Sequence, residues 1–123
     1  MNFLLDVNAL VALHHSNSAH HAAFHRWAAG LGTAQLSTSA LVELGFLRVS
    51  IQAFKYDSAQ AARALQATKA GLGFVGHAPS PQLPAWANTA AKTTDAHLVQ
   101  VATEAGLTLA TFDAGIPGAE LIK

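Results

Sequence analysis

Short apolar runs alternate with helical segments along this chain, and this alternation restricts the fold more than any other feature. Phe3–Leu5 is apolar and ends at Asp6, while Leu107–Thr111 alternates with threonine and ends close to Asp113. Both runs have the pattern of short strands in a folded core. Strands that are separated by helices favour a parallel sheet covered by helices. We therefore expect an α/β fold, a three-layer α/β/α sandwich with a mostly parallel central sheet.

The remaining elements follow from helical periodicity, capping residues and glycines. Helices are predicted over Val7–Leu13, over Ser18–Ala29 with Ser18 as its cap, from Ser39, from Asp57 or Ser58 through Lys69, and over Asp95–Ala105. The helix from Ser39 is expected to have an apolar face made of Leu41, Leu44, Leu47 and Ile51 with Phe46 and Val49. Weaker strands are predicted at 34–36, Phe74–Val75 and Leu121–Ile122, and the hydroxyls at 37–39 are expected to cap the third helix. Three prolines in the segment His77–Pro84 predict a loop.

Length and composition limit the class of protein. The 123 residues fit one domain, 1–123, and the absence of cysteine excludes disulfides and thiolate metal sites. Seven acids balance seven Lys and Arg, so a strongly basic surface that grips nucleic acid is not expected. No apolar run is long enough to span a membrane and no signal peptide is recognisable, which predicts a cytoplasmic protein. The 51% hydrophobic content predicts either apolar surface covered by another chain, as in a homodimer, or simply an alanine-rich composition.

Four of the seven acids lie where a site would form. Asp6 directly follows the first strand, Asp113 follows the last long strand by two residues, Asp95 is placed in the first turn of a helix, and Glu43 lies inside an apolar helix. Each aspartate alone is as well explained as a helix cap or a turn residue. A carboxylate on an apolar helix needs a partner, and Arg48 is a candidate although its spacing is poor. Taken together, acids at strand ends and helix starts predict one pocket.

Such a cluster of carboxylates predicts a cation site. Carboxylates stay ionised together only when a cation lies between them, and all-oxygen ligands favour Mg²⁺ or Mn²⁺. The site would suit phosphodiester hydrolysis, because a divalent cation acidifies water and neutralises charge on a phosphate. Asp6 and Asp95 are the expected direct ligands, and Glu43 and Asp113 are expected to bind directly or through water.

Four ordered motifs carry a family resemblance: Leu4-Leu5-Asp6-Val7-Asn8-Ala9-Leu10, Leu41-Val42-Glu43-Leu44 with Gly45-Phe46-Leu47-Arg48, Thr93-Thr94-Asp95-Ala96-His97-Leu98, and Leu109-Ala110-Thr111-Phe112-Asp113. In these the chain resembles PIN-domain ribonucleases, most closely VapC-type toxins of toxin–antitoxin pairs. The resemblance implies an endoribonuclease that depends on Mg²⁺ or Mn²⁺, cuts RNA and is silenced by a cognate VapB-like antitoxin. It implies that Asp6, Glu43, Asp95 and Asp113 are the catalytic and metal-binding acids. It also implies that Asn8 and Thr111 orient the acids or water.

Other functions remain open on the sequence. His21 and His25 are four residues apart on a predicted helix, a spacing that can bind zinc with His14, His15 or His20, but no acid or Cys completes that site locally. The alternative is a polar helix face that could lie near RNA. A receiver-type phosphoacceptor domain would need an acid at the end of a mid-chain strand, whereas Asp57 starts a helix. A non-catalytic PIN-like binding module is excluded by no sequence feature.

Overall fold

A computed structural model describes residues 1–33 and 35–123 of the chain. The described residues form five strands and five helices in the order β1 (Phe3–Leu5), α1 (Val7–His14), α2 (His21–Ala29), β2 (Leu36–Ser39), α3 (Ala40–Gln52), α4 (Ser58–Lys69), β3 (Gly73–Val75), α5 (Ala90–Glu104), β4 (Thr108–Thr111) and β5 (Glu120–Leu121).

The five strands form one sheet in the order β3-β2-β1-β4-β5, and every adjacent pair is parallel. The chain steps outward from β1 to β2 to β3, then crosses back to β4 on the other side of β1. Parallel crossovers are right-handed, so the two directions place α1 to α4 on one face of the sheet and α5 on the other. Contacts among α1, α2, α3 and α4, and between α5 and β4, agree with this arrangement. The predicted three-layer α/β/α sandwich is confirmed.

Strand β1 supplies the centre of the core. Phe3, Leu4 and Leu5 are all buried, because β1 has a neighbouring strand on each side and a helical layer on each face. Leu4 pairs in register with Leu109, and Leu5 with Ala110. Asp6, directly after β1, and Thr111, the last residue of β4, therefore lie beside each other at the same edge of the sheet.

Helix α3 is positioned by a close approach to α1. Gly45 has no side chain, and a Cβ built there would lie 2.5 Å from Val7 Cγ2 and 3.0 Å from Cγ1. The buried residues of α3 are Val42, Phe46 and Ser50. The predicted apolar face is confirmed at Phe46, which is buried, and at Leu47 and Val49, which pack partly buried against the core. It is wrong at Leu41, Leu44 and Ile51, which are exposed. Helix α3 carries large apolar residues around most of its circumference, so periodicity alone did not define the side that packs on α1.

Strand β2 lies further along the chain than predicted. It covers Leu36–Ser39, whereas the prediction placed a strand at 34–36, of which residue 34 lies outside the described residues. The residues predicted to cap the third helix are instead part of this strand and are buried between β1 and β3, namely Ser37, Thr38 and Ser39. Ser39 precedes α3 but its hydroxyl makes no capping hydrogen bond. Sheet neighbours on both sides favour extended backbone here more strongly than the residue types disfavour it.

Two helix starts also differ from the predictions. Helix α5 begins at Ala90 rather than Asp95, because Thr89 caps it by accepting a hydrogen bond from the Lys92 N–H. Asp95 therefore lies in the second turn. Helix α2 begins at His21, and the Ser18 hydroxyl instead accepts from the His20 N–H at 3.2 Å. The predicted cap of α4 is confirmed: Asp57 and Gln60 form a reciprocal capping box.

The predictions for the last strand and for the proline-rich loop agree with the structure to within one residue. The last strand covers Glu120–Leu121 rather than Leu121–Ile122. The segment His77–Pro84 has no regular secondary structure, as predicted. Within the described residues, no helix combines the length and hydropathy that crossing a membrane requires.

Candidate active site

The carboxyl ends of β1 and β4 meet where the chain changes direction across the sheet. Successive connections leave such a point for opposite faces, which opens a crevice at the strand ends. Asp6 extends from β1 and its N–H donates to the Ala110 carbonyl at 2.9 Å, so the two strands stay paired up to the edge of the crevice. The fold thus places the first predicted acid beside the last motif of the chain.

Asp6 is held rigidly by two donors. Its side chain is only 6% exposed, Oδ1 accepts from the Val7 N–H at 2.7 Å, and Oδ2 accepts from the Thr111 hydroxyl at 2.7 Å. Burial raises the pKa of the Asp6 carboxyl, the hydrogen bonds from Thr111 and Val7 lower it, and the negative charge of Asp113 raises it. The net pKa is raised, because burial disfavours the charged carboxylate more than the two hydrogen bonds favour it.

Thr111 links this carboxylate to the rest of the site. Its Oγ1 accepts from Asn8 Nδ2 at 3.3 Å and from the Asp113 N–H at 3.1 Å, in addition to donating to Asp6. Asn8 Oδ1 in turn accepts from the Phe112 N–H at 3.3 Å. Every hydrogen-bonding position of the Thr111 hydroxyl is thereby used. Of the two neutral supports chosen from the sequence, Thr111 hydrogen-bonds to Asp6 directly, and Asn8 hydrogen-bonds to Thr111.

Asp95 reaches the same crevice from α5. Asp6, Asp95 and Asp113 all line a pocket of about 370 Å³. Burial, followed by the negative charges of Asp6 and Asp113, raises the pKa of the Asp95 carboxyl. The structure thus places three of the four predicted acids at one pocket, where their negative charges repel one another.

Glu43 lies apart from this pocket and has a partner of its own. Lys69 Nζ donates to Glu43 Oε1 at 2.9 Å, with the two side chains 27% and 12% exposed. The partner is therefore Lys69 on α4, not Arg48. Glu43 Oε2 is buried and has no hydrogen-bond partner among the described residues. Glu43 thus keeps one carboxylate oxygen available.

Residues 3–119 match the PIN domain. The chain belongs to the PIN domain family. The resemblance to VapC-type PIN domains is confirmed by two relatives from Mycobacterium tuberculosis. Ribonuclease VapC38 is 38% identical over 125 residues, covering 92% of this chain and 86% of the relative. Ribonuclease VapC39 is 32% identical over 127 residues, covering 94% and 91%.

A solved structure supports the fold independently. A chain in the crystal structure of VapBC2 from Rickettsia felis, bound to a DNA fragment from their promoter, aligns with a TM-score of 0.61. The alignment covers 98% of this PIN domain and 97% of that chain at 14% identity, a level that shows a shared fold. The family excludes the receiver-type alternative, and Asp57 is used as the cap of α4.

The histidines of this PIN domain do not form the zinc site considered from the sequence. His21 Nδ1 is 2.7 Å from the Ala12 carbonyl and His25 Nε2 is 3.1 Å from the Leu13 carbonyl. Among the described residues, no three His, Cys, Asp or Glu side chains are grouped so that they could hold a metal ion between them. The two helical histidines therefore fasten α2 to α1.

His14 and His15 belong to a second, buried cluster. His15 Nε2 is 2.8 Å from Ser50 Oγ, and its ring stacks on Phe54 with centroids 3.8 Å apart. His14 hydrogen-bonds to Tyr56 and Thr68. Burial, together with the charge of His14, lowers the pKa of His15 to about 4. This cluster joins the end of α1 to α3 and α4.

Sequence reasoning missed two pairings at the site. The Glu43–Lys69 ion pair joins residues on different helices, and the stack of His20 on Phe112 joins residues near opposite ends of the chain. Neither spacing corresponds to a local motif. The first pair could have been suspected only because Glu43 needs a cation and Lys69 lies on a predicted helix. Nothing in the sequence indicated the second pair.

Proposed function

We propose that this PIN domain is an endoribonuclease that hydrolyses RNA phosphodiester bonds with a divalent cation, Mg²⁺ or Mn²⁺, and acts as the toxin of a toxin–antitoxin pair. One observation carries the proposal: Asp6, Asp95 and Asp113 converge on one pocket in a chain 38% identical to a protein named ribonuclease VapC38. Asp6, Glu43, Asp95 and Asp113 are the proposed catalytic and metal-binding acids. Asn8 and Thr111 are the proposed supports.

The donors around the pocket fit a hard divalent cation. Asp6, Asp95 and Asp113 supply carboxylate oxygens to the pocket. Burial raises the pKa of Asp6 and Asp95, and neighbouring carboxylates raise both further. The free, buried Glu43 Oε2 is a further oxygen close to the carboxyl end of β2. Mg²⁺ commonly takes only one or two carboxylates and completes its shell with water and substrate phosphate oxygens. A preformed group of three protein ligands is therefore not required.

The three aspartates differ in how strongly hydrogen bonds restrain their side chains. Asp6 is fixed by two hydrogen bonds and has little freedom to turn, which suits a permanent ligand. Asp95 makes no side-chain hydrogen bond to another described residue, and its pKa is raised, which suits a carboxylate that accepts a proton from the attacking water. Asp113 Oδ1 accepts from the Gly115 N–H at 2.8 Å, which fixes its orientation at the pocket rim. A bound divalent cation would supply the charge that offsets these acids and the phosphate.

The partners follow from the same relatives. We infer a VapB-like antitoxin, because the aligned Rickettsia felis chain was solved in a VapBC2 assembly. Leu41, Leu44 and Ile51 are exposed on α3, which is compatible with a further chain covering them, and a homodimer is one such assembly. We propose a cytoplasmic location and one functional domain over residues 1–123.

Cleavage of RNA by the purified protein tests the proposal. We expect cleavage in Mg²⁺ or Mn²⁺ and none with a chelator, while Asp6→Asn and Asp95→Asn each lose at least about a hundred-fold in rate. Glu104→Gln is the matched control, because it removes an acid from α5 that does not line the pocket. Equal rates for Asp6→Asn and wild type would disprove the site. A wild-type protein that binds an antitoxin but cleaves no RNA would instead be the non-catalytic module.

A further inference from the structure

One part of the acid pocket is an aromatic stack that the proposed hydrolysis does not use. The rings of His20 and Phe112 lie nearly parallel, with centroids 4.2 Å and planes 14° apart. His20 lines the pocket together with Asp6, Asp95 and Asp113, and Phe112 directly precedes Asp113 in the chain. The stack is therefore adjacent to the carboxylates rather than elsewhere on the surface.

His20 differs from its neighbours in how its ring is used. Four other histidines in the segment 14–25 use a ring nitrogen for an internal hydrogen bond, namely His14, His15, His21 and His25. The ring nitrogens of His20 make no hydrogen bond to any residue in 1–33 or 35–123, and its side chain is exposed. Its ring is thus held by Phe112 and free to bind something outside the fold.

The backbone keeps this ring in place. The His20 N–H donates to Ser18 Oγ at 3.2 Å, and its carbonyl accepts from the Phe24 N–H at 2.9 Å at the start of α2. Together with the stack on Phe112, these contacts leave the ring little rotational freedom. A ring that is already fixed loses little entropy when a ligand stacks on it.

We propose that His20, supported by Phe112, is the stacking platform for a nucleobase of single-stranded RNA beside the phosphodiester bond that lies at the three aspartates. The proposal rests on the ribonuclease function proposed above and names a contact with its substrate. Single-stranded RNA is bound largely by stacking of its bases on aromatic rings, histidine included.

The charge of the chain favours a substrate contact of this kind. Seven acids equal the seven Lys and Arg, and three acids line the pocket, so attraction of phosphates by the protein alone is small. Stacking on a base does not depend on net charge. The free ring nitrogens of His20 can in addition hydrogen-bond to a base edge or ribose.

Steady-state cleavage of a fluorophore- and quencher-labelled pool of single-stranded RNA of random sequence tests the platform. We expect His20→Ala to raise KM about ten-fold with kcat changed less than about two-fold, because base stacking mainly adds binding energy. His20→Phe keeps the stack and should stay within about two-fold of the wild-type KM. An abasic ribose–phosphate oligonucleotide, added as competitor, should inhibit wild type and His20→Ala equally.

His77→Ala is the matched control, because it removes an exposed histidine that does not line the pocket. An unchanged KM for His20→Ala, with wild-type cleavage intact, overturns the platform and leaves the ribonuclease standing. A His20→Phe variant as weak as His20→Ala also overturns it, since the imidazole rather than the stack would then matter. A wild-type protein that cleaves no RNA removes both proposals. Equal thermal unfolding midpoints for all variants exclude a purely structural loss.

Discussion

The Thr111 hydroxyl donates to Asp6 Oδ2 over 2.7 Å and thereby joins the carboxyl ends of two adjacent parallel strands. The same oxygen accepts from Asn8 Nδ2 and from the Asp113 N–H. A single buried hydroxyl therefore fixes the relative positions of three residues from opposite ends of the chain. Its loss should affect stability and activity together.

Thr111→Val keeps the shape of the side chain and removes this hydroxyl. We expect a loss of about 2–3 kcal/mol in the free energy of unfolding, because a buried carboxylate loses a donor and two N–H groups lose their acceptor. The pKa of Asp6 should rise further, since Thr111 now lowers it. Urea unfolding measures the loss, and Thr111→Ser, which keeps the hydroxyl, should recover most of it. A valine variant as stable as wild type would show that the network carries no free energy.

Asp95→Asn should make the protein more stable while it abolishes cleavage. The pKa of Asp95 is raised in the folded state, so at neutral pH its charge disfavours folding, and this penalty vanishes below the ordinary pKa of 3.8. We expect a rise of about 1–3 °C in the thermal midpoint at pH 7 without divalent cation, and none near pH 3. Asp6→Asn should show no such gain, because both its oxygens accept hydrogen bonds. A midpoint lowered by Asp95→Asn would contradict the mutual repulsion of the acids.

The buried His15 predicts a loss of stability in mild acid. Its pKa falls from 6.5 in the unfolded chain to about 4 in the fold, so the unfolded chain binds more protons between these values. Stability should be constant above pH 6.5 and fall by about 3 kcal/mol as the pH drops to about 4. Burial also lowers the pKa of His14, which therefore acts in the same direction.

Urea midpoints measured from pH 7 to pH 4 give this slope directly. His15→Gln retains a polar group near Ser50 but cannot take up a proton, so its stability should depend less on pH. The exposed His77 supplies the control, since His77→Gln should keep the full slope. If the His15→Gln slope equals that of wild type, the acid sensitivity originates elsewhere.

Gly45→Ala tests the close approach of α3 to α1. The added Cβ would lie 2.5 Å from Val7 Cγ2, so one helix must move. Overpacking should cost about 1–3 kcal/mol, partly offset by the better helix propensity of alanine. Val7→Ala creates space, and the double variant should be more stable than the sum of the two changes predicts. Additive changes, measured by urea unfolding, would show that the helices do not touch at this point.

The sequence predicted best where the signal was local. The buried run Phe3–Leu5, the cap at Asp57 and the loop over His77–Pro84 depend on residues a few positions apart, and the structure contains all three. Helix α5 was placed too late because the prediction started it at Asp95, whereas Thr89 caps it and the helix begins at Ala90.

Predictions that depended on distant residues were less complete. Three aspartates converged as expected, because topology brings strand ends together. Glu43 was chosen for its need of a partner, yet Lys69 lies 26 residues away and no local spacing indicates it. Strand β2 was predicted too early in the chain, because serine and threonine are common helix caps. Here they form a strand, since β1 and β3 pair with them. Side-chain partners across the fold are set by packing that a single sequence does not reveal.

The position of β4 beside β1 has a consequence for the synthesis of the protein. Strand β1 is made before β4, but the pocket needs Thr111 to hold Asp6 and needs Asp113 at its rim. A growing chain on the ribosome can pair β1 with β2, yet it has no complete site until the residues of β4 have left the exit tunnel. An mRNA truncated before the codon for Thr108 therefore yields a chain without the pocket. The order of the strands delays any activity against RNA until translation of the domain is almost complete.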